Sequence, residues 1–214
     1  MVNPSPTVTA EKSRGRRAHQ EVQRIQTRAR LLDAARKVFA GRDYQSTTIE
    51  HVLTEAKVSR AAYYAHFESK LALVLALAEQ FLPEWAPLYE ELAQIDPDDL
   101  PALERWTARH IELYRRNAAL CTLLTQVATL EETLYRALAA QQDGIIRRLG
   151  TTIPAFRLAC DDATMHARAV LLLSHLDHAC FLITQRRDEL LHDGAALILA
   201  EKVQAFLKAS PGRG

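Results

Sequence analysis

Residues 44–70, YQSTTIEHVLTEAKVSRAAYYAHFESK, decide how this chain folds. Thr47-Thr48-Ile49-Glu50 has the spacing of a capping box, in which the Thr47 hydroxyl takes the backbone N–H of Glu50 and the Glu50 carboxylate reaches back. A short helix over 48–55 follows, with Val52 and Leu53 facing inward. Ala56-Lys57-Val58 then makes a turn, Ser59 is placed to cap a helix over 59–66, and a further helix begins after Ser69. Two short helices joined in this way form a helix-turn-helix, whose second helix is narrow enough to enter a DNA major groove. A purely structural helical hairpin has the same spacing.

Upstream, Ile25, Ala29, Leu32, Ala35, Val38 and Phe39 recur at three- and four-residue steps, predicting an amphipathic helix over 24–40 that Gly41 ends. Lys12, Arg14, Arg16, Arg17, Arg24, Arg28 and Arg30 cluster just before and into it. Such a footprint suits a polyanion, although a solvated terminal arm carries the same charges. Residues 1–80 hold 13 Lys+Arg and 8 Asp+Glu, a net of +5; residues 81–214 hold 14 and 18, a net of −4. The overall charge of +1 therefore conceals two oppositely charged halves.

Composition sets the class. With 48% hydrophobic and 25% charged residues, the 214-residue chain has the balance of a globular protein, not of a collagen-like or low-complexity one. Ala (34) and Leu (31) are abundant while Gly (7) and Pro (8) are scarce, which predicts an all-α chain. An α/β chain would need β-branched runs bounded by Gly or Pro, and none outcompetes a helical assignment. The longest uncharged apolar run, Leu71 to Ala78, is eight residues against roughly 18 for a membrane span, so no membrane partner is expected. Residues 1–10 lack the pattern of a secretory leader, which makes the expected location cytoplasmic. Cys121, Cys160 and Cys180 lack a Cys-x-x-Cys spacing and are expected to be reduced core residues. Gly-x-Ser-x-Gly, His-Glu-x-x-His, Gly-x-x-x-x-Gly-Lys and dinucleotide-type glycine loops are absent, so an enzyme is disfavoured and no cofactor is expected.

From Arg28 to Leu77 the chain resembles the DNA-binding module of the tetracycline-repressor-like (TetR) family of bacterial transcription regulators. The residues that carry the likeness coincide in register: LLDAARKVFA at 31–40 with its AA-x-x-x-FA segment, Tyr44 three residues before Thr47, the Val58-Ser59 turn exit, the run Tyr64 to Lys70, and LALVLALA at 71–78. The resemblance implies an N-terminal three-helix helix-turn-helix DNA-binding domain followed by a helical ligand-binding and dimerisation bundle. It assigns 1–22 to a basic, disordered arm, 23–70 to the DNA-binding domain, 71–208 to the regulatory domain and 209–214 to a flexible tail. The expected partners are a double-stranded DNA operator, a small-molecule effector and a second copy of the chain. The expected function is a repressor released from a palindrome-like operator by a small, largely apolar molecule. A helical small-molecule carrier or a metal-binding sensor is the alternative.

Each carried-over position has suitable chemistry. Tyr64 and His66 match the positions where the family's recognition helix grips phosphate, and both donate hydrogen bonds. Thr47 and Thr48 open the preceding helix, where hydroxyls and free N–H groups hold a further phosphate, and Lys70 adds a point charge. Arg60, behind the Ser59 cap, is the candidate for a bidentate guanine contact, with Ala61 and Ala62 small enough for close approach or for a thymine methyl. Tyr63 and Phe67 are expected to lie beneath the helix as core. Two departures stand out: Lys57 replaces the family's usual turn glycine, at a cost of about 1 kcal/mol if left-handed, and Asp43 stands where a glycine usually precedes the aromatic, as a residue that tolerates the left-handed region.

Beyond residue 70, periodicity predicts six helices over 70–94, 101–117, 119–129, 131–149, 161–187 and 194–208, separated by Pro97, Pro101, Pro154 and Gly194. Met165, Ala169, Leu172, Leu173, Leu176, Ala179, Cys180 and Ile183 form one apolar stripe and Leu197, Ala200, Val203 and Leu207 another. The family implies a dimer interface there; a monomer core has the same pattern. Trp106, His110, Tyr114, Cys121, Thr125, His178 and Phe181 are the candidate pocket residues, combining apolar surface with polar tips. His166, His175 and His178 raise the question of a metal, but Asp177 projects about 200° from His175 around a helix, so no metal site is assigned.

Overall fold

The computed structural model describes residues 6–186 and 189–209, which form helices and connecting turns with no strand among them. The chain divides into two compact units, residues 1–77 and 78–214. That division falls a few residues beyond the 70/71 boundary expected from sequence.

In the first unit, α1 (Pro6–Gly41), α2 (Ile49–Ala56), α3 (Arg60–Tyr64) and the start of α4 (Lys70–Phe81) enclose one core. Leu31, Leu32, Ala35 and Phe39 of α1 meet Val52 and Leu53 of α2, and Tyr44, Tyr63, Phe67, Leu73, Val74 and Leu77 complete the interior. Tyr63 and Phe67 are thus core residues, as expected. α1 starts at Pro6, so residues 6–22 are helical where a disordered arm is expected; the rest of that arm and residues 210–214 of the tail lie outside the described residues. The side chains of Lys12, Arg14, Arg16 and Arg17 also lie outside the described residues. Helical periodicity before residue 24 is masked by the polar composition there, which leaves no apolar stripe to read.

The second unit holds a 3-10 turn (Leu82–Trp85), α5 (Ala86–Leu92), α6 (Leu100–Arg116), α7 (Ala118–Leu130), α8 (Glu132–Gly150), α9 (Pro154–Asp161), α10 (Ala163–Arg186) and α11 (Glu189–Leu207). α6 packs on α11, α7 on α8, and α9 on both α8 and α10. Three expectations are corrected. The segment expected as one helix over 70–94 is α4, the turn and α5, with Pro83 and Pro87 in the first turns of the last two. Pro154 opens α9, a helix absent from the six expected, because proline is well tolerated in a first turn, where its missing N–H is not needed. Gly194 lies within α11 instead of breaking it.

The apolar stripe of α10 is interior: Met165, Ala169, Leu173, Leu176, Cys180 and Ile183 are all buried within this unit, with Ala200 and Val203 of α11. Those residues therefore build the core of one chain. The large apolar side chains left exposed on the same helices are Leu171, Leu182, Leu197 and Ile198. Lys70–Leu92 and Ala163–Arg186 do reach the length and apolar composition of a bilayer span, which the criterion of an uninterrupted uncharged run overlooks. Leu77, Phe81, Met165 and Leu173 of these segments are buried, whereas Leu171 and Leu182 are exposed. All three cysteines are free; Cys121 and Cys180 are buried, while Cys160 is exposed, a correction to its expected core position.

Candidate nucleic-acid interface and ligand cavity

The turn between α2 and α3 sets the geometry of the first site. Lys57 ends α2 in the left-handed region, φ 54° and ψ 47°, and its N–H donates to the Leu53 carbonyl. It is the one non-glycine residue with positive φ among the described residues. The backbone therefore keeps the conformation a glycine would adopt, and the side chain bears the steric cost. Arg30 of α1 donates to the carbonyls of Ala56 (2.7 Å) and Lys57 (3.0 Å), fastening the end of α2 and satisfying acceptors a helix leaves unpaired. Ser59 then caps α3, its Oγ accepting from the Ala62 N–H at 3.1 Å.

On this scaffold Ser59, Arg60, Ala61 and Tyr64 are exposed, with Ala62 and His66 partly so. Arg60 is ion-paired with Glu50 of α2, both side chains lying largely in solvent, so its guanidinium is extended across the α2–α3 face before any ligand arrives. Tyr64 stands edge-on to Tyr63, their centroids 5.4 Å apart. Tyr63 is wholly buried, and its hydroxyl donates to the Ser69 carbonyl at 2.9 Å, tying α3 to the start of α4. Burial pushes its phenol up to about 12. The His66 imidazole is held below the usual histidine range by partial burial and by the charges of Arg24 and Arg28. α3 is shorter than the expected 59–66, since residues 65 and 66 form a turn.

Two expected contacts change role. Thr47 is only 1% exposed and its hydroxyl donates to the Asp43 carbonyl at 2.8 Å, which removes it from any outer face. The N-cap of α2 is Thr48, one residue later than expected, and the side chain reaching back is His51, whose Nδ1 accepts from the Thr48 N–H at 3.2 Å. Glu50, expected in that position, pairs with Arg60. Thr48 remains exposed. Lys70 is half-buried, and its Nζ donates to the carbonyls of Tyr44 (2.6 Å) and Thr47 (2.7 Å) while lying 4.1 Å from the Tyr44 ring centroid. The ammonium therefore braces the approach to α2 and is not extended into solvent as a point charge.

Asp43 is not left-handed. Its carboxylate accepts from the Ser46 N–H (2.8 Å) and hydroxyl (2.7 Å), and these bonds hold its pKa below the usual range. Within the basic cluster, Arg24 pairs with Glu21 and the Arg28 guanidinium sits 5.3 Å over the Phe67 ring. Sequence reasoning missed the parts of Arg30 and Glu50; a long-range side-chain-to-carbonyl bond leaves no periodic signal.

The second site is a cavity of about 510 Å³ within residues 78–214, bounded by the Leu82–Trp85 turn, α5, α6, α7, α8 and α10. Of the expected pocket residues, Tyr114, Cys121 and Thr125 line it. Trp106 and His110 are fully buried behind the wall: the Trp106 Nε1–H donates to the Leu88 carbonyl at 2.7 Å, and the His110 ring lies 4.7 Å from that of Trp85. His178 is exposed and Phe181 stacks against it outside the cavity, because position 177, not 178, of α10 turns inward. Asp177, Trp85, Tyr89 and Gln142 are lining residues that the sequence analysis did not select. Burial raises the Tyr89 and Tyr114 phenols and the Cys121 thiol, the last up to about 12, and the Asp177 charge adds to each shift. A neighbouring cavity of about 590 Å³ shares Trp85 and Tyr89 and carries Glu79 and Arg148. His175 and His178 are both exposed, and no group of three His, Cys, Asp or Glu side chains among the described residues is arranged to hold a metal ion.

Comparison with known proteins bears on the first unit by sequence and on both by fold. Residues 31–77 match the family described as "Bacterial regulatory proteins, tetR family". The chain is similar to the HTH-type transcriptional activator FasR of Mycolicibacterium smegmatis, with 36% identity over 66 residues, 31% of this chain and 30% of that protein. It is also similar to the A-factor receptor protein of Streptomyces griseus, with 38% identity over 56 residues, 26% of this chain and 20% of that one. The matched stretches span 18 to 30% of the lengths of the curated relatives. Among solved structures, a TetR-like transcriptional regulator from Rhodococcus sp. RHA1 superposes with a TM-score of 0.62 at 16% identity, covering 86% of this chain and 97% of that one. A regulator from Aquifex aeolicus gives 0.56 at 20% identity, covering 80% and 99%. These likenesses extend the shared fold through the second unit.

Proposed function

We propose that this chain, whose residues 31–77 match the tetR family of bacterial regulatory proteins, is a ligand-responsive DNA-binding transcription regulator of that family, acting as a repressor. The observation that carries this reading is the outward face of α3: Ser59, Arg60, Ala61 and Tyr64 are exposed, while the residues behind them, Tyr63 and Phe67, are buried and fastened. A helix placed in this way enters a major groove with its first residues against base edges. Arg60 would read a guanine, with Ala61 and Ala62 permitting close approach. Thr48, Tyr64 and His66 would hold phosphates. Glu50 orients Arg60 before contact and is displaced from it on binding.

A second copy of the chain would pair through the outer faces of α10 and α11, where Leu171, Leu182, Leu197 and Ile198 are exposed. A two-fold dimer would set two recognition helices about 34 Å apart and so select a palindrome-like operator. The cavity in residues 78–214 would receive a small, largely apolar effector. For that effector to release DNA it must bind the DNA-incompetent arrangement more tightly, and a swing from 1:99 to 99:1 requires about 5.5 kcal/mol. The A-factor receptor is by its name a receptor, which supports the ligand-responsive reading. Action on operator DNA would place the protein in the cytoplasm. A carrier of small molecules would use the same cavity but would leave the Ser59–Tyr64 face without a purpose.

A gel-shift assay with DNA flanking the protein's own gene tests this reading. Retardation that weakens steeply with salt and survives non-specific competitor is expected; absence of any retarded species at micromolar protein would overturn it.

A further inference from the structure

We propose that residues 6–28 of α1 form a second DNA-binding element, which lies along the phosphates flanking the site that α3 enters and supplies most of the electrostatic affinity. The inference rests on the reading of α3 as the recognition helix and extends it to an element that reading leaves unused. Its basis is where the charge resides. Residues 31–77, which carry the helix-turn-helix, hold six Lys+Arg and five Asp+Glu, whereas residues 6–30 hold seven and two. Three of the six cations in 31–77 are also engaged: Arg60 pairs with Glu50, Lys37 with Glu55, and Lys70 donates to two carbonyls. A duplex presents one negative charge about every 1.7 Å, and a nearly neutral module gains little from that field without a basic neighbour.

The start of α1 is that neighbour. Residues 19–26 are all exposed, more than two turns of helix without a packed face, and Arg24 pairs there with Glu21. A helix that buries no face derives little stability from packing, and a partner along its length would supply it. At alternating three- and four-residue steps back from the buried Leu31 come Arg28, Arg24, Glu21, Arg17 and Arg14, so positions that are apolar within the domain are continued by mainly basic ones upstream. Arg24 and Arg28 face the end of α3: the Arg28 guanidinium lies 5.3 Å over the Phe67 ring, and both charges hold the adjacent His66 below its usual range. His66 is itself a proposed phosphate contact, so the basic row begins where the backbone of bound DNA would pass. At 1.5 Å per residue, residues 6–28 extend about 34 Å, roughly one turn of duplex.

Fluorescence anisotropy on a mixed-sequence duplex of about 40 base pairs, over about 50–200 mM salt, compares the full chain with two triple variants checked for folding by circular dichroism. Arg14→Gln, Arg17→Gln and Arg24→Gln together remove three charges of the row while keeping helix-forming side chains. Arg115→Gln, Arg116→Gln and Arg136→Gln together remove three exposed charges from the second unit. The first variant should lower the slope of log affinity against log salt by at least about one unit, each lost phosphate contact carrying about 0.9. It should also weaken binding to this duplex and to DNA flanking the protein's own gene by the same factor. The second should change the slope by less than about one unit. A smaller fall in the first variant, an equal fall in the second, or conversion of the first to a monomer in light scattering, as a second copy seated on the exposed Val22 and Ile25 would give, would overturn the proposal. Absence of binding by the unaltered chain would overturn the regulator reading itself, so the two failures are distinguishable.

Discussion

Arg60 shows how a single side chain can be placed correctly by sequence and yet have unexpected company. Its position behind the Ser59 cap follows from helix-start signals, but its ion pair with Glu50 arises from the crossing of α2 and α3. Arg60→Ala should weaken operator binding about ten- to a hundredfold and relax one base position, measured by competition with single-base operator variants; unchanged base preference would remove its assigned role. Lys70 differs in kind. Because its ammonium is taken up by the Tyr44 and Thr47 carbonyls, Lys70→Met should lower unfolding stability by about 1–3 kcal/mol while leaving the salt slope of DNA binding nearly unaltered. A loss of about one unit in that slope would instead make it a phosphate contact. His66 titrates below the usual range, so it is neutral at neutral pH in the free protein. A phosphate beside it favours the protonated ring, hence DNA affinity should rise as pH falls from about 8 to about 6. His66→Gln should flatten that rise in a pH series of gel shifts.

At the scale of elements, the α2–turn–α3 unit was almost fully legible, and its single strained residue was located correctly. Lys57 is left-handed, as the family's glycine preference implied. Lys57→Gly should therefore raise stability by about 0.5–1 kcal/mol, read as a higher Tm, because relief of the side-chain clash exceeds the added freedom of the unfolded chain. The misplaced N-cap is instructive. Thr47 and Thr48 are adjacent hydroxyl residues, and only the buried turn that engages Thr47 with Asp43 leaves Thr48 as the cap. α9 escapes the periodicity for the reverse reason, since Pro154 reads as a boundary from sequence and is a starting residue in the fold. Its contact with α8 also depends on Gly150, where a Cβ would lie 3.1 Å from the Cys160 Sγ.

At the scale of the whole molecule, the outer faces of α10 and α11 are what a second copy would cover. Leu171→Glu combined with Ile198→Glu should convert a dimer to a monomer in light scattering at micromolar concentration and weaken operator binding together with it, because each half-site alone loses the second recognition helix. A variant that stays dimeric would move the interface elsewhere. Substitutions in the stripe that sequence periodicity highlighted, such as Leu173→Ala, should instead destabilise the fold by about 2–5 kcal/mol, since that residue is 2% exposed within its own unit.

Local signals sufficed for the all-helical class, the capped turn at 57–59 and the residues most exposed on α3, because each depends on neighbours a few positions away. Long-range contact decided the rest: which face of α10 is interior, which of Asp177 and His178 meets the cavity, and which cations are already engaged, as Arg30 and Lys70 are. Periodicity reports that a helix has an apolar side, but burial is a relation between helices, and the partner that completes it lies far along the chain.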